Sequence, residues 1–201
     1  NEVLDAMPVA LLHRRGGQWH ERGVVAQTDG AFGWADRPTA LRPSLEPEGE
    51  DDYLTEVHPQ AEAFVRTLVE RWVRGAGFFI DYGFPEREYY HPQRAMGTLA
   101  CHRAHRVDHD PLVDVGAKDI TAHVNFTGIA LAAQAIGDAR RARGEADVGV
   151  LGYTSQARFL LNCGILEMLQ QAPWDQRALA NQLFMEHEMG ELFKVIGLYV
   201  G

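Results

Sequence analysis

The chain has 201 residues and a mass of 22.4 kDa, enough for one domain with a sizeable core or for two small domains. Its net charge of −9 and its pI near 5.4 exclude a non-specific nucleic-acid binder. No apolar run reaches the length of a transmembrane helix, so we expect no membrane insertion. The two cysteines are too few for a disulfide framework, which favours a reducing, cytoplasmic setting.

The first quarter of the chain predicts a hairpin followed by an irregular loop. It opens "NEVLDAMPVALL", with no initiator Met and no polar lead-in, so we expect a further N-terminal part to precede it. Residues 9–27 predict a β-hairpin around Gly16-Gly17. Residues 36–53 hold three prolines and a run of acids, a composition typical of a solvated loop.

A helix and an apolar strand follow. The helix is predicted from Pro59 to just before Gly75. Its apolar face at helical spacing consists of Ala61, Phe64, Val65, Leu68, Val69, Trp72 and Val73. The next run, "GFFIDYG", predicts a buried strand of an α/β sheet, ending at Asp81. Asp81 either has a function at the carboxyl end of this strand, where ligands of open α/β sheets bind, or belongs to a turn.

Residues 84–118 show little regular pattern, and we predict an inserted loop region there. Loops of this length inside a compact domain are usually functional or disordered, and the aromatics Phe84, Tyr89 and Tyr90 argue against disorder.

The C-terminal part alternates helices and strands. "TGIALAAQAIGDARRARG" predicts a helix ending by Gly144, and "VGVLGYT" predicts a strand. "SQARFLLNCGILEMLQQ" predicts one helix, with Cys163 as a small core residue rather than a nucleophile. "WDQRALANQLFM" predicts another helix, and "LFKVIGLYVG" a final strand.

The stretch "ACHRAHRVDHD", residues 100–110, raises the question of a metal site. Zinc sites need Cys or His pairs at spacings such as C-x(2–4)-C with a second pair further on. Here Cys101 and His102 are adjacent, His105 is at helical spacing from them and no second Cys-x-x-Cys exists, so we predict a polar loop without metal. No G-x-S-x-G, P-loop or H-E-x-x-H motif is present either.

Five sequence blocks, in order along the chain, carry a family resemblance. They are "NEVLDAMPV", "IDYGF", residues 88–127, "GYTSQARFLLNCGI" and "MGELFKVIGL". Together they resemble the MidA-like family of S-adenosylmethionine-dependent methyltransferases. This family includes the mitochondrial complex I assembly methyltransferase, which modifies an arginine on a complex I subunit. One departure is Asn125, where the family commonly carries Asp.

The resemblance implies an α/β fold. The chain would be the C-terminal half of a Rossmann-like class I methyltransferase sheet, with an antiparallel last strand and a long substrate-side excursion over residues 84–118. The whole of residues 1–201 would be a single, partial methyltransferase domain. The glycine-rich loop that holds the cofactor's carboxylate end in the family is not among these residues. S-adenosylmethionine is the implied cofactor.

The resemblance also implies roles for individual residues. Asn1 and Glu2 would bind the cofactor, since they resemble the residues just after the family's fourth strand. The implied catalytic residues are Glu2, Asp5, Asp81 and His123. The implied substrate-binding residues are Tyr82, Gly97, Thr98, His105, Asp119 and Thr121. His102 and His109 are either polar contacts or simply solvated.

Two classes of function stay open at this point. One is a methyltransferase acting on a side-chain nitrogen, by implication an arginine of a protein substrate such as a respiratory complex I subunit. The other is a non-catalytic assembly or docking factor with the same fold. The first would be cytoplasmic in a bacterium and mitochondrial in a eukaryote, and either could form a homodimer.

Overall fold

The computed structural model describes residues 1–49, 52–104 and 106–201. The chain forms two compact units. The N-terminal unit comprises Val3–Ala63 and Phe84–Gly128. The C-terminal unit comprises Asn1–Glu2, Phe64–Gly83 and Ile129–Gly201. Among the described residues, no helix is both long enough and apolar enough to cross a membrane.

A four-stranded antiparallel sheet, in the order β3-β2-β1-β4, organises the N-terminal unit. Its strands are β1 (Ala10–Arg15), β2 (Gln18–Ala26), β3 (Phe32–Pro38) and β4 (Tyr53–Val57). The pairing of Arg15 with Gln18 leaves a two-residue turn, so the predicted hairpin is confirmed. The predicted loop 36–53 begins later than expected, because β3 continues to Pro38, and its residues 50 and 51 lie outside the described part.

The core of this sheet is small and aromatic. Leu12, Trp19 and Tyr53 form it, and the Trp19 and Tyr53 rings meet edge to face. The buried guanidinium of Arg14 lies over both rings and donates to Glu46 Oε1 at 2.9 Å. Burial of this charge is tolerated because it is paired and hydrogen-bonded.

Residues 84–118 contain short regular elements where the sequence pattern predicted none. After α2 (Glu86–Tyr89) comes a 3-10 turn over Pro92–Arg94. A small antiparallel sheet in the order β7-β6-β8 follows. Its strands are β6 (Ala100–Arg103), β7 (Arg106–Asp108) and β8 (Asp119–Thr121), and β9 (Val124–Asn125) comes after it. Strands of two to four residues are too short to show an alternating pattern.

Helix α1 (Pro59–Arg71) begins as predicted. Its buried positions are Ala61, Val65 and Val69, spaced four residues apart. Phe64 and Val73 are exposed, so the buried stripe is narrower than the apolar pattern predicted.

The C-terminal unit contains the antiparallel strands β5 (Gly75–Phe84), β10 (Val148–Ser155) and β11 (Phe193–Val200), with β11 in the middle. The last strand is therefore antiparallel to both neighbours. The prediction that β5 ends at Asp81 is wrong: Asp81 pairs with Lys194 inside the ladder, and the strand continues to Phe84. Nor is β5 buried throughout, because Phe78 is exposed.

Helix α3 (Phe126–Ala142) runs to the predicted end and is tied to α1 within the C-terminal unit. Arg140 donates to the carbonyl oxygens of Val69 at 3.1 Å and Trp72 at 2.9 Å. These bonds satisfy acceptors at the end of α1 that have no partner inside the helix.

The single helix predicted after β10 is two helices, α4 (Gln156–Asn162) and α5 (Ile165–Gln171). They separate at Cys163-Gly164, where Gly164 adopts a left-handed conformation with φ 84°. The prediction that Cys163 is a core residue is wrong, because its side chain lies exposed at this break. Helix α6 (Trp174–Phe184) is confirmed and is followed by a short turn segment at Glu186–Gly190, in which the backbone of Glu188 is not helical.

Candidate functional site

Two neighbouring cavities lie in the N-terminal unit and share part of their walls. The larger has a volume of about 640 Å³ and the smaller about 590 Å³. The residues that line both are Leu11, Arg22, Trp34 and Leu99. Concave sites of this size, with apolar walls and a few polar groups, are typical ligand sites.

The larger cavity is mostly apolar and carries two carboxylates. Its apolar walls include Met7, Val24, Phe32, Leu112, Val115 and Ile120. Asp5, Glu21 and Thr121 add polar groups. Asp5 is 5% exposed, and its backbone oxygen accepts a hydrogen bond from Ala122 N at 2.9 Å. Glu21 is bound by the guanidinium of Arg37. Two of the residues predicted from the sequence, Asp5 and Thr121, therefore line the same cavity.

The smaller cavity has the opposite balance of charge. Gly97, Thr98, His109 and His123 line it together with Arg22 and Arg94, and its described lining includes no carboxylate. The Arg94 guanidinium lies 3.8 Å from the centre of the Phe84 ring, and its Nε donates to Glu88 O at 2.9 Å. Gly97, Thr98 and His123, three of the residues named from the sequence, thus line the same cavity.

His123 is a neutral polar group in this cavity. Burial and the nearby Arg94 lower the pKa of His123 to about 4. Its ring lies 5.2 Å from that of Phe84, and its backbone N–H donates to Thr98 Oγ1 at 3.0 Å. At neutral pH its imidazole can serve as a hydrogen-bonding group without adding charge.

A buried carboxylate, Glu56, lies behind the wall formed by residues 97–99. Glu56 is on β4 and is 0% exposed. The segment runs beside that strand, since Leu54 N donates to Ala95 O at 2.8 Å. Glu56 accepts four hydrogen bonds, from Thr98 N, Leu99 N, Thr98 Oγ1 and Tyr89 OH. Tyr89 OH in turn lies 2.9 Å from His58 Nε2.

Sequence reasoning missed Glu56, Tyr89 and His58. In the sequence an acid on a strand resembles a solvent-facing residue, and its partners lie 33 to 43 residues away. The sequence offers one signal for Glu56. This acid lies inside the strand-like run "YLTEV", directly before Val57 and a His-Pro pair.

An ion-pair cluster lies where the two cavities meet. Arg22 Nε and one terminal nitrogen donate to the two carboxylate oxygens of Asp36 at 2.8 and 2.9 Å. His13 Nδ1 lies 3.0 Å from Asp36 Oδ2. The hydrogen bond from Arg22 holds the pKa of Asp36 well below its usual range. This bidentate pairing fixes the guanidinium that lines both cavities.

Four of the predicted site residues belong to the C-terminal unit. Glu2 is exposed, with φ 48°, and its backbone N–H donates to Ile80 O at 2.9 Å. Asn1 Nδ2 donates to Glu2 Oε1 at 2.9 Å. Asp81 is 1% exposed and accepts a hydrogen bond from Tyr82 N. The Tyr82 ring lies 3.9 Å from that of Phe193.

The remaining predicted site residues are Asp119 and His105. Asp119 is exposed on β8 and lines neither cavity. His105 lies outside the described residues. Cys101 is fully buried on β6, and His109 Nδ1 lies 3.0 Å from Leu99 O. Within the described parts of the chain, no group of three or more His, Cys, Asp and Glu residues could hold a metal ion.

Comparison with known proteins defines the class to which this fold and site belong. Residues 1–143 match the model of a family described as S-adenosyl-L-methionine-dependent methyltransferases. The chain belongs to this family, and the resemblance found in the sequence is confirmed.

The chain is also similar to individual members. A crystal structure of a Burkholderia thailandensis protein bound to S-adenosyl-homocysteine is 47% identical, with a TM-score of 0.87, over 99% of this chain and 52% of that one. The mitochondrial protein arginine methyltransferase NDUFAF7 homolog of Drosophila melanogaster is 27% identical over 100% of this chain and 46% of its own length. The mitochondrial protein arginine methyltransferase NDUFAF7 of Xenopus laevis is 28% identical over 96% of this chain and 44% of its own length. The chain thus spans about half the length of the relatives it matches.

Proposed function

We propose that the protein to which this chain belongs transfers the methyl group of S-adenosylmethionine to an arginine side chain of a protein substrate. The observation that carries the proposal is the 47% identity to a protein crystallised with S-adenosyl-homocysteine, over nearly the whole of this chain. The arginine target is supported by the names of the Drosophila and Xenopus relatives, at 27 and 28% identity.

On the cofactor side, the residues of this chain that we assign are Asn1 and Glu2. The Glu2 carboxylate is exposed and has an amide donor, Asn1, on one oxygen. The backbone bond to Ile80 O holds the turn at Glu2 in a left-handed conformation that a non-glycine residue seldom adopts. Both residues would lie at the edge of the cofactor site, where the Glu2 carboxylate can also meet the substrate. When bound, the cofactor supplies an electrophilic methyl group on a sulfonium.

On the substrate side, we assign the larger cavity to the target arginine. An arginine side chain stays cationic at any working pH, and carboxylates match its planar fork of donors. The larger cavity offers Asp5 and Glu21, whereas the described lining of the smaller cavity has two arginines and no acid. Apolar walls suit the methylene stem of the target.

Methyl transfer makes few chemical demands beyond orientation. The attacking nitrogen must be aligned with the carbon–sulfur bond of the cofactor, and its charge must be balanced. Glu2 and Asp5 are the carboxylates that we propose for this alignment. Asp81 would support Glu2, although its burial at 1% exposure leaves little of it accessible. His123, neutral at the pH of the reaction, would contact the substrate backbone or a side chain.

The proposal extends to a protein partner. Gly97, Thr98 and Thr121 line the two cavities and would contact the segment around the target arginine. The family resemblance implies that Tyr82, Asp119 and His105 also bind the substrate. A respiratory complex I subunit is the substrate we infer from the family resemblance, and a bacterial cytoplasmic protein would meet it before assembly. A docking factor without catalysis is the alternative.

Cofactor titration of the complete protein distinguishes the methyltransferase from the docking factor. Isothermal calorimetry with S-adenosylmethionine and with S-adenosyl-homocysteine should give saturable binding for both, and a thermal shift should accompany it. A complete protein that shows neither binding heat nor a thermal shift with either compound would leave only the docking factor.

A further inference from the structure

We propose that Glu56 is a positioning residue for the substrate site, on the basis that the site has the function proposed above. Glu56 is fully buried and touches neither cavity. It would act through the backbone of residues 97–99, whose conformation it fixes. None of the residues predicted from the sequence has this role.

The contacts of the Glu56 carboxylate are dense and specific. Oε1 accepts from Thr98 N at 2.8 Å and from Leu99 N at 3.1 Å. Oε2 accepts from Thr98 Oγ1 at 3.1 Å and from Tyr89 OH at 2.9 Å. Two consecutive backbone donors on one oxygen fix the direction of the peptide planes that carry them. The segment can therefore take only a narrow range of conformations.

Gly97 allows this close approach. Its φ is 72°, and a Cβ built on it would lie 2.5 Å from Glu56 Oε1. A side chain at this position would be strained by the backbone conformation and would also push the carboxylate away from its donors. The position of the Glu56 carboxylate therefore depends on a glycine at position 97.

A carboxylate suits this position because all four partners donate to it. The His58 Nε2 and Tyr89 OH pair shows why: when Tyr89 donates to Glu56, its oxygen is left to accept from the imidazole. Burial and the neighbouring Glu56 raise the pKa of Tyr89 well above its usual value, so that the hydroxyl keeps its proton. An amide at position 56 would present an NH₂ group either to the two backbone donors or to the two hydroxyls, and its single neutral oxygen is a weaker acceptor than a carboxylate.

The hydrogen bonds of Glu56 affect the cavities through Thr98 and Leu99. Leu99 lines both cavities, and Thr98 lines the smaller one. Thr98 Oγ1 donates to Glu56 and accepts from His123 N at 3.0 Å. Removing the carboxylate therefore loosens the wall next to His123 without removing any group that meets the substrate.

The test compares Glu56→Gln with a matched control, Glu46→Gln. Glu46 is also an acid of the N-terminal unit that binds core residues, Arg14 and Trp19, but it lines neither cavity. In the complete protein, hydrogen exchange of the Thr98 and Leu99 amides should become at least about tenfold faster in Glu56→Gln only, while exchange in the β1–β2 hairpin is unchanged. Unchanged exchange at these two amides would overturn the proposal, whatever the activity.

A second measurement uses a pool of arginine-centred peptides and S-adenosylmethionine labelled in its methyl group. Glu56→Gln should raise the half-saturating peptide concentration by about tenfold or more, with a smaller change in the maximal rate. Its affinity for S-adenosyl-homocysteine should stay at the wild-type value. A parallel loss of cofactor affinity and of hairpin protection would instead mean a general structural role and would reject positioning.

Thr98→Val covers the case in which Glu56→Gln does not fold. It removes the hydroxyl that donates to Glu56 and keeps both backbone bonds, and because Thr98 itself lines the smaller cavity it is compared with Tyr89→Phe, which removes the other hydroxyl donor from a residue that lines neither cavity. We expect both variants to show a smaller rise in half-saturating concentration than Glu56→Gln, and a wild-type value would count against the proposal. A wild-type protein that binds no cofactor would refute the proposed function but would leave the exchange result valid.

Discussion

Glu2 has an exposed carboxylate that accepts a hydrogen bond from the side-chain amide of Asn1, and its own backbone is left-handed. Glu2→Gln keeps the shape of the side chain and removes its charge. If Glu2 pairs with the substrate guanidinium, turnover should fall by roughly two orders of magnitude or more, as for the loss of one well-placed electrostatic contact. Cofactor affinity should change little. Steady-state methylation and calorimetry on the complete protein measure the two quantities.

The control is Glu48→Gln, which removes the same charge from an exposed position in the loop before β4. Its turnover should equal that of the wild type. Wild-type turnover in Glu2→Gln would exclude the pairing with the guanidinium.

Among individual residues, the family blocks in the sequence named polar groups that line a cavity but not the buried carboxylate behind its wall. Gly97, Thr98 and His123 line one cavity, and their roles stay predictions. Glu56 was not predicted, because the donors that justify its burial come from residues far along the chain. Asp81 was placed at a strand end, but pairing with β11 extends the strand past it.

Among the elements, Gly137 sets how closely α3 approaches β10. A Cβ on Gly137 would lie 2.1 Å from Val148 O. Gly137→Ala should therefore destabilise the protein by about 1 to 3 kcal/mol, despite the higher helix propensity of alanine, because the helix must move away from the strand. Urea unfolding of the complete protein gives the change in the free energy of unfolding.

Gly128→Ala on the same helix is the comparison. There a Cβ would lie 3.1 Å from the end of the Glu62 side chain, which can turn aside, and 3.8 Å from the Asn125 side chain, an ordinary contact distance. Its free energy of unfolding should lie within about 1 kcal/mol of the wild type. Equal effects of the two substitutions would contradict the close approach at Gly137.

Elements with a long periodic pattern were predictable, and short or interrupted ones were not. Helices α1, α3 and α6, the first hairpin and strands β10 and β11 follow from apolar spacing. Strands β6, β7 and β8 are too short for a pattern and depend on each other's hydrogen bonds. The break between α4 and α5 depends on the conformation of Gly164, a residue that helices also tolerate.

For the molecule as a whole, two buried histidines predict a loss of stability in mild acid. Burial lowers the pKa of His58 to about 4, and that of His123 is also about 4. In the unfolded chain a histidine titrates near 6.5, so between these values the unfolded state binds protons that the folded state does not. Stability is therefore complete above pH 6.5 and is lost as the pH falls toward 4.

For His58 alone this linkage amounts to about 2 kcal/mol between pH 7 and pH 5. In His58→Gln the free energy of unfolding should fall by correspondingly less over this range, as measured by urea unfolding at both pH values. His102→Gln, at an exposed position, should keep the wild-type dependence. A dependence that is the same in all three proteins would show that His58 is not held neutral by burial.

The bonds of Glu56 also bear on the order in which the protein folds. They join β4 to residues 42 and 43 positions further along the chain. Until that later segment arrives, the carboxylate either stays hydrated outside the core or enters it without donors, at a cost of several kcal/mol. Strand β4 can therefore complete its packing only together with the wall of the two cavities. A partly folded chain would have neither a fully packed β4 nor the wall of the two cavities. The cavity wall would form in the same step as the last part of the core.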